Sequence, residues 1–354
     1  MNNSKTDCTQ QTRQQIFDQY IRGRLPGERI PTEKQLSKEY QVSVTTVRRA
    51  VSLLEDSGFL KRRHGSGTFI GEALRIRKVG LLVPEADYSQ FFHTMAIRMS
   101  PELRQRGYSP TLFVTGGDHF ELATMESDLR SMDALILCGY GAEAGELRRI
   151  GVPYVVLGNE FPREDTYVAT DMISGMMMAM RHLYATGCRK IIYLGNFHWN
   201  SPLAQEHLET SMRYLGFRLA LHELGLEFSP GQALAAGYSS LHGYERVLRL
   251  VDESEFDALL CATDQLAQGA IQALLGRNLR IPEEVSVVGC NNLLPETEYL
   301  VPLTAIDFNL DQFAAQAVYL LNRKLDGTPE EDVFSLFLRP KLVCRASTRP
   351  LSGR

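Results

Sequence analysis

The 354-residue sequence lacks the features of membrane, secreted and metal-binding proteins. No apolar run approaches the ~18 residues of a membrane-spanning helix, and residues 1–15 are polar, unlike a secretory signal. The six cysteines are scattered, with no Cys-x-x-Cys and no paired histidine spacing, which favours free thiols over disulfides or zinc ligands. These absences predict a cytoplasmic protein with no membrane association and no metal site.

Common catalytic motifs are also missing. The sequence contains no phosphate-binding Gly-x-x-x-x-Gly-Lys loop, no Gly-x-Ser-x-Gly nucleophile turn and no metal-ligand pair. We therefore predict no catalytic residues and no cofactor. One alternative that these absences leave open is an α/β protein that binds or processes sugars without acting through DNA.

The formal net charge of −4 conceals an uneven distribution. Residues 1–78 contain 15 Lys and Arg against 8 Asp and Glu, a net charge of +7, whereas the remaining residues carry −11. A basic segment attracts nucleic acid, although a disordered basic tail could bind any acidic partner. A folded DNA-binding motif inside the segment would favour nucleic acid.

Residues 31–58 have the pattern of two short helices joined by a tight turn. Thr32, with Gln35 three residues later, predicts a capped helix that ends near Tyr40. Ser43 is a second N-cap candidate, and an apolar stripe at helical spacing follows it. The stripe consists of Val47, Ala50, Val51 and Leu54. This pattern predicts a helix-turn-helix whose second helix fits a major groove of DNA.

The opposite face of the second helix is polar and basic, with Thr45, Thr46, Arg48 and Arg49. After Gly58 the pattern changes to a hairpin over residues 59–70, with two glycines and a histidine at its tip and a run of basic residues before it. Glycine allows φ > 0 and close approach to another backbone, so the hairpin is predicted to be a wing that touches phosphates or a minor groove. A solvated basic face is the competing interpretation for any single arginine.

Residues 16–71 resemble the GntR family of bacterial winged-helix regulators. The resemblance is carried by Leu25-Pro26-Gly27-Glu28-Arg29-Ile30-Pro31, Val42-Ser43, Thr45-Thr46-Val47-Arg48 and Gly65-Ser66-Gly67-Thr68-Phe69. It implies DNA contacts from the basic residue after the helix-2 glutamate, from the recognition helix and from the wing tip. In this sequence those residues are Lys34, Arg48, His64, Gly65 and Gly67. Val44 stands where the family usually has an arginine, so the operator is expected to differ from the usual one.

From Val79 onward, short apolar runs alternate with segments long enough for helices. Strands are predicted at 79–83, 111–114, 134–137, 154–157, 190–194, 258–261 and 286–289, and helices at 91–106, 120–130, 171–185, 204–224 and 265–276. Such alternation is typical of parallel sheets with crossover helices. The two series, before and after Asp171, predict two α/β lobes with a small molecule held beyond the strand ends.

Residues 78–350 resemble the effector-binding domain of the LacI family, which shares the fold of type I periplasmic sugar-binding proteins. The matching pieces include Val79-Gly80-Leu81-Leu82, Gly151-Val152-Pro153, Pro302-Leu303-Thr304 and the segments 187–195 and 281–289. The resemblance implies a homodimer and a small-molecule effector, for which we expect a carbohydrate.

Six residues are candidates for contacting the effector: Phe91, Phe92, Arg213, Tyr238, Asp264 and Asn291. Aromatic rings suit the C–H face of a sugar, and a planar guanidinium can hold vicinal hydroxyls or a carboxylate. By resemblance, Arg213 matches a ligand-binding arginine, and Asn291 stands where the family commonly has an aspartate. Because Asn291 lacks that carboxylate, the ligand or its pose is expected to differ from those of typical sugar repressors.

Several of these candidates have a purely structural explanation as well. Phe91 and Phe92 can pack in a helix core, and only one of them is expected to face the cleft. Arg213 can form a surface salt bridge. Asp264 can cap a helix that begins at Gln265.

The sequence thus predicts an α/β protein with an N-terminal winged helix-turn-helix and a two-lobed domain built on parallel sheets. The predicted parts are a disordered tail over residues 1–10, the DNA-binding domain over 11–71, a linker over 72–78 and the ligand-binding and dimerisation domain over 79–350. The predicted function is that of a repressor whose affinity for a double-stranded DNA operator is controlled by the effector.

Overall fold

The computed structural model divides the chain into two compact units. The first, here called the head, comprises Met1–Lys78 with Gln105–Ser109, and the second, the body, comprises Val79–Arg104 and Pro110–Arg354. The residues described are 3–21, 24, 26–63, 65–71, 77–84, 90–115, 122–139, 147–158, 166–195, 211–237, 239–293, 300–325 and 335–351. None of the described helices is long and apolar enough to cross a membrane.

The described part of the head contains three α-helices and one antiparallel hairpin. These elements are α1 (Asn3–Ile16), α2 (Glu33–Glu39), α3 (Val44–Asp56), β1 (Leu60–Arg63) and β2 (Gly67–Ile70), with a π-helical turn at Phe17–Ile21. The hairpin register places Leu60 opposite Ile70. The apolar core draws on every one of these elements, through Ile16, Ile21, Ile30, Leu36, Val47, Ala50, Val51, Leu54, Leu60 and Ile70.

The helix caps predicted for the head are confirmed. Thr32 accepts a hydrogen bond from the Gln35 N–H at 3.4 Å, and Gln35 Oε1 accepts one from the Thr32 N–H at 2.8 Å. At the start of α3, Ser43 Oγ accepts from the Thr46 N–H at 3.1 Å. These side chains satisfy N–H groups that a helix end leaves without a partner. The apolar stripe of α3 is buried, as predicted.

The N-terminal helix is longer than the sequence predicts. The prediction placed a disordered tail over residues 1–10, whereas α1 begins at Asn3. Thr9 and Thr12 are buried, and the Thr12 hydroxyl donates to the Cys8 carbonyl at 2.8 Å. Because the helix is anchored in the core by Ile16 at its end, packing stabilises a segment whose polarity alone suggests disorder.

The body contains two six-stranded sheets. The first sheet has the order β13-β7-β6-β5-β3-β4, and its strands are β3 (Arg77–Pro84), β4 (Tyr108–Thr115), β5 (Ala134–Cys138), β6 (Tyr154–Leu157), β7 (Tyr167–Thr170) and β13 (Leu336–Leu338). The second has the order β14-β12-β11-β10-β8-β9, and its strands are β8 (Ile191–Gly195), β9 (Ala233–Ala235), β10 (Ala258–Cys261), β11 (Ser286–Asn291), β12 (Thr304–Asp307) and β14 (Lys341–Val343). β5 runs parallel to β3 and β6, and β10 runs parallel to β8 and β11, whereas β14 is antiparallel to β12.

The helices of the body carry the chain between these sheets. They are α4 (Gln90–Gln105), α5 (Leu122–Arg130), α6 (Met172–Ala185), α7 (Met212–Glu223), α8 (Ser240–Glu253), α9 (Asp264–Gly276) and α10 (Leu310–Leu325). The chain leaves the first sheet after β7, because α6 packs against β10, β12 and β14 of the second. It returns after β12 with α10, which packs against β5, β6 and β7, and it crosses again between β13 and β14. The two predicted lobes are therefore confirmed, but they are joined by three passages of the chain.

Candidate functional sites

The exposed face of α3 carries the predicted DNA-contacting side chains. Thr45, Arg48 and Arg49 are exposed, and Lys34 is exposed on α2. Thr46 is half-buried, and its hydroxyl shares a hydrogen bond of 2.8 Å with Ser43 Oγ. Thr46 thus contributes to the cap of α3, whereas Thr45, Arg48 and Arg49 form an accessible polar surface, here called the α3 face.

Glu33, at the first position of α2, connects the α3 face to the hairpin. Its carboxylate accepts hydrogen bonds from Arg48 Nε at 2.9 Å and from Arg62 Nη2 at 2.8 Å. Arg62 also pairs with Glu55 at 3.2 Å. No local spacing in the sequence signals this role of Glu33, because its two partners lie 15 and 29 positions away in the chain.

The hairpin has the geometry expected of a wing. Gly65 and Gly67 have φ values of 72° and 118°, which favour glycine. A Cβ atom at Gly67 would lie 2.8 Å from Nε of Arg29, so the tip is also closely packed. Arg63 lies over the Phe69 ring at 4.9 Å. His64, predicted to act at this tip, lies outside the described residues.

Three of the predicted ligand-contacting residues lie at the carboxyl ends of strands in the second sheet or in the first turn of a helix. Asn291 ends β11, Asp264 begins α9 just after β10, and Arg213 is the second residue of α7. The Cys290 thiol, next to Asn291, lies near both Arg213 and Asp264, since Arg213 lowers its pKa and Asp264 raises it. The structure therefore brings these three predicted residues close together.

Asp264 is not the helix cap that one interpretation of the sequence suggested. Thr263 is the N-cap of α9, since its hydroxyl accepts from the Leu266 N–H at 3.2 Å. Asp264 stands one position later and accepts from the Leu293 N–H at 2.8 Å. A Cβ atom at Gly289 would lie 2.7 Å from Asp264 Oδ1. Asp264 thus ties α9 to β11 and to the segment that follows it.

The residues around Arg213 are buried and polar. Arg213 Nε and Asn291 Oδ1 are buried without a hydrogen-bond partner among the described residues, and Asn291 is only 3% exposed. Burial raises the pKa of Tyr193, and the Arg213 guanidinium opposes that shift. Burial also raises the pKa of Cys290 to about 11, again against the effect of Arg213. We call Tyr193, Arg213, Cys290 and Asn291 the strand-end cluster.

The two phenylalanine candidates have different environments. Phe91 is 7% exposed and makes edge-to-face contacts with Phe308 and Phe313, at centroid distances of 6.4 and 6.5 Å, so it packs in the core. Phe92 is half-buried and lies against Gly139, directly after β5. Phe92 therefore stays the aromatic candidate for ligand contact. Tyr238 lies outside the described residues.

A glutamine pair joins the two lobes beside these positions. Gln265 Nε2, next to Asp264, donates a hydrogen bond to Gln90 Oε1, next to Phe91. Arg98 and Asp311 form an ion pair of 2.9 Å between α4 and α10. No sequence pattern signals either pair, because the partners are polar residues far apart in the chain. Within the described residues, no cluster of three or more His, Cys, Asp or Glu side chains could hold a metal ion.

Comparison with known proteins supports the division into head and body. The model of bacterial regulatory proteins of the gntR family matches residues 9–70, and that of the periplasmic binding protein-like domain matches residues 180–348. The arabinose metabolism transcriptional repressor of Halalkalibacterium halodurans is 26% identical, over 95% of this chain and 95% of that protein.

Solved structures with the same fold include two LacI-type regulators. One is a LacI family transcriptional regulator from Enterococcus faecium with bound ribose. The match covers 78% of this chain and 100% of the regulator, with 24% sequence identity and a TM-score of 0.66. The other is the lac repressor dimer bound to operator and an anti-inducer. The match covers 77% of this chain and 94% of the lac repressor chain, with 20% sequence identity and a TM-score of 0.67. The chain thus has an N-terminal domain similar to the bacterial regulatory proteins of the gntR family and a periplasmic binding protein-like domain in the body, and over most of its length it is similar to a transcriptional repressor.

Proposed function

We propose that this regulator is a repressor, and that a small molecule bound in the body controls its affinity for an operator. The observation that carries the DNA-binding part is the α3 face: Thr45, Arg48 and Arg49 are exposed on a capped recognition helix. Side chains of this kind can donate hydrogen bonds to base edges and phosphates. The glycine-containing wing beside it adds a second contact with the duplex.

The effector would bind at the strand-end cluster. Buried polar groups are normally hydrogen-bonded, so Arg213 Nε and Asn291 Oδ1 call for partners that a ligand could supply. The names of the relatives, which mention arabinose and ribose, support a carbohydrate or a related compound as the effector. Phe92 of α4, which lies against Gly139 directly after β5, would offer an apolar surface from the first lobe.

We further propose that the regulator acts as a homodimer in the cytoplasm, where its operator DNA lies. Two heads related by twofold symmetry would bind the two halves of a palindromic site. The lac repressor, which shares the fold of the body, binds its operator as a dimer. Nothing in the proposed site requires catalysis, so incubation with candidate sugars is expected to leave them unchanged.

The DNA-binding proposal is tested by titrating the full chain against DNA from the regions that flank its own gene, with fluorescence anisotropy as the measurement. Arg48→Ala is expected to weaken operator binding by about 1–3 kcal/mol if Arg48 contacts a base, and only to reduce the salt dependence if it contacts phosphate. Arg24→Ala is the control, because Arg24 is an exposed arginine of the head that pairs with Glu28. Equal effects of the two substitutions would argue against recognition by the α3 face.

A further inference from the structure

The strand-end cluster includes the end of β11, where the backbone takes an unusual path. Asn291, the last residue of β11, has a φ of 108°, and Asn292 has a φ of 53°. Non-glycine residues rarely adopt this region, and although asparagine does so more readily than most, two in succession need support from their surroundings. The contacts that hold this bend therefore also determine where the Asn291 side chain lies.

Two hydrogen bonds hold the bend. The Leu293 N–H donates to Asp264 Oδ2 at 2.8 Å, which fixes the chain just after the bend to the start of α9. Arg345 Nη2 donates to the Asn292 side-chain oxygen at 3.0 Å. Asn291 itself is only 3% exposed, and its Oδ1 has no hydrogen-bond partner among the described residues. The protein thus anchors the two residues after Asn291 and leaves the Asn291 oxygen as an acceptor for a ligand.

The Arg345 guanidinium binds two different segments at once. While Nη2 binds Asn292, Nη1 donates to the Leu303 carbonyl, just before β12, at 2.7 Å. The backbone of Arg345 is fixed as well, since its N–H donates to Thr304 Oγ1 at 2.8 Å. A planar guanidinium can span two acceptors in a fixed geometry, which the single ammonium group of a lysine does not reproduce. Arg345 therefore ties the bend after β11 to the start of the neighbouring strand.

Arg345 also lies close to a passage of the chain between the lobes. It follows β14 by two residues, and the chain reaches β14 from β13 of the other sheet. Strand pairing places Lys341 of β14 opposite Asp307, and Leu338 of β13 opposite Thr170. A change in the arrangement of the lobes must be absorbed between these two pairings. Arg345 is thus the hydrogen-bonded link between this passage and the bend.

We propose that Arg345 is a positioning residue of the effector site. It holds Asn291 in place through Asn292, and it links the bound effector to the passage between β13 and β14. This inference rests on the proposed ligand site of the body and names a residue that regulates that site without touching the ligand. A change of the lobes that shifts β14 would shift Arg345 and the bend together, so the affinity for the effector depends on the arrangement of the lobes.

Arg349 provides a matched control for a role that is only structural. Its Nε donates to the Pro282 carbonyl at 3.2 Å and its Nη2 to the Glu283 carbonyl at 3.1 Å, just before β11 begins. Arg345 and Arg349 therefore make similar bonds at opposite ends of the same strand, and of the two only Arg345 binds the end that belongs to the strand-end cluster. Arg345→Gln and Arg349→Gln remove comparable bonds from the two ends.

The first measurement needs no ligand. It is hydrogen exchange of the full chain, followed by mass spectrometry of peptides that contain residues 291–293. Arg345→Gln is expected to speed exchange of the Leu293 N–H at least roughly tenfold, because the bend loses one of its anchors. Arg349→Gln is expected to leave exchange in these peptides unchanged.

The second measurement is the affinity of the full chain for a sugar, by calorimetry, with arabinose and ribose as probes because the names of the relatives mention them. Arg345→Gln is expected to weaken binding at least roughly tenfold, and Arg345→Lys to recover only part of the loss. Asn292→Gly removes the amide but suits the positive φ, so it is expected to weaken binding with little change in the melting temperature. A purely structural role does not predict lost affinity at unchanged stability.

Three results would overturn the inference. They are unchanged exchange at residues 291–293 in Arg345→Gln, full sugar affinity in that variant, and an equal loss of affinity in Arg349→Gln. The proposed function fails in other ways. If the unmodified chain binds no operator, the repressor is refuted, while the two measurements still decide the positioning role. If it binds neither sugar, these sugars are refuted as effectors, and hydrogen exchange alone decides the positioning role.

Discussion

Glu33 contacts two arginines with one carboxylate, Arg48 of the recognition helix and Arg62 of the wing. Arg48 has 64% of its side chain exposed, so the contribution of its pair to folding stability is small. We propose a larger effect on DNA binding, because the carboxylate holds the Arg48 side chain in one orientation and offsets part of its positive charge. Glu33 would then favour DNA contacts that depend on geometry over contacts that depend on charge alone.

Glu33→Gln is expected to lower the specificity ratio between operator and random DNA. The substitution removes one negative charge and loosens Arg48 and Arg62, so binding to random DNA strengthens and its salt dependence increases. Both affinities can be measured by fluorescence anisotropy over a range of salt concentrations. Glu39→Gln in the same helix is the control, because Glu39 bonds to Gln19 and Tyr20. An unchanged specificity ratio in Glu33→Gln, or an equal change in the control, would contradict the positioning role.

The sequence predicted individual residues well where a local pattern determines their place. The caps Thr32 and Ser43 form hydrogen bonds within three residues, and a local rule describes them. Glu33 was not predicted because its partners are brought to it by the fold. For Asp264 the local rule gave the wrong position, since Thr263 caps α9 and frees Asp264 to bind the Leu293 N–H.

At the scale of elements, α8 and α9 pack closely because each has a glycine at the contact. A Cβ atom at Gly269 of α9 would lie 1.8 Å from the Ser240 carbonyl oxygen, and one at Gly243 of α8 would lie 2.5 Å from the Leu266 carbonyl oxygen. Such distances leave no room for a methyl group unless a helix backbone moves. α9 covers the second sheet next to the strand-end cluster, because it packs against β10 and β11, and α8 packs on α9.

Gly269→Ala is expected to destabilise the body, because overpacking at a backbone contact costs about 1–3 kcal/mol. Gly276→Ala, near the end of the same helix, is expected to leave stability unchanged or to raise it by up to about 1 kcal/mol, since alanine has the higher helix propensity. A Cβ atom at Gly276 would have no neighbour within 4 Å. Thermal unfolding of both variants measures the difference, and equal melting temperatures would contradict the close packing of α8 and α9.

Strands in the interior of the sheets were predicted from short apolar runs, as for β5 and β10, in which every residue is buried. The edge strands β13 and β14 were not predicted, because each has three residues of mixed exposure and produces no run. The sequence predicted a helix over residues 171–185, but not that α6 packs on the second sheet rather than the first. The partner of an element depends on contacts distant in sequence, and a local pattern does not contain them.

At the scale of the molecule, three passages of the chain connect the two lobes, and a ligand bound to both lobes can act through their relative arrangement. These passages lie between β7 and α6, between β12 and α10, and between β13 and β14. A ligand that contacts Arg213 and Asn291 in one lobe and Phe92 in the other would favour one relative arrangement of the lobes. Its effect on DNA binding is then limited by the difference in its affinity for the two arrangements.

One prediction about the full chain holds whether the effector weakens or strengthens operator binding. If the effector changes operator affinity by some factor, operator DNA must change effector affinity by the same factor, because both describe one coupling free energy. That factor is expected to be about 5–150, which corresponds to a coupling of roughly 1–3 kcal/mol. The measurement is an effector titration by calorimetry with and without saturating operator, beside an operator titration with and without saturating effector. Arg213→Gln should bind operator normally and show no coupling in either titration. A factor of one in both titrations of the unmodified chain would mean that effector binding in the body does not change the affinity of the head for operator.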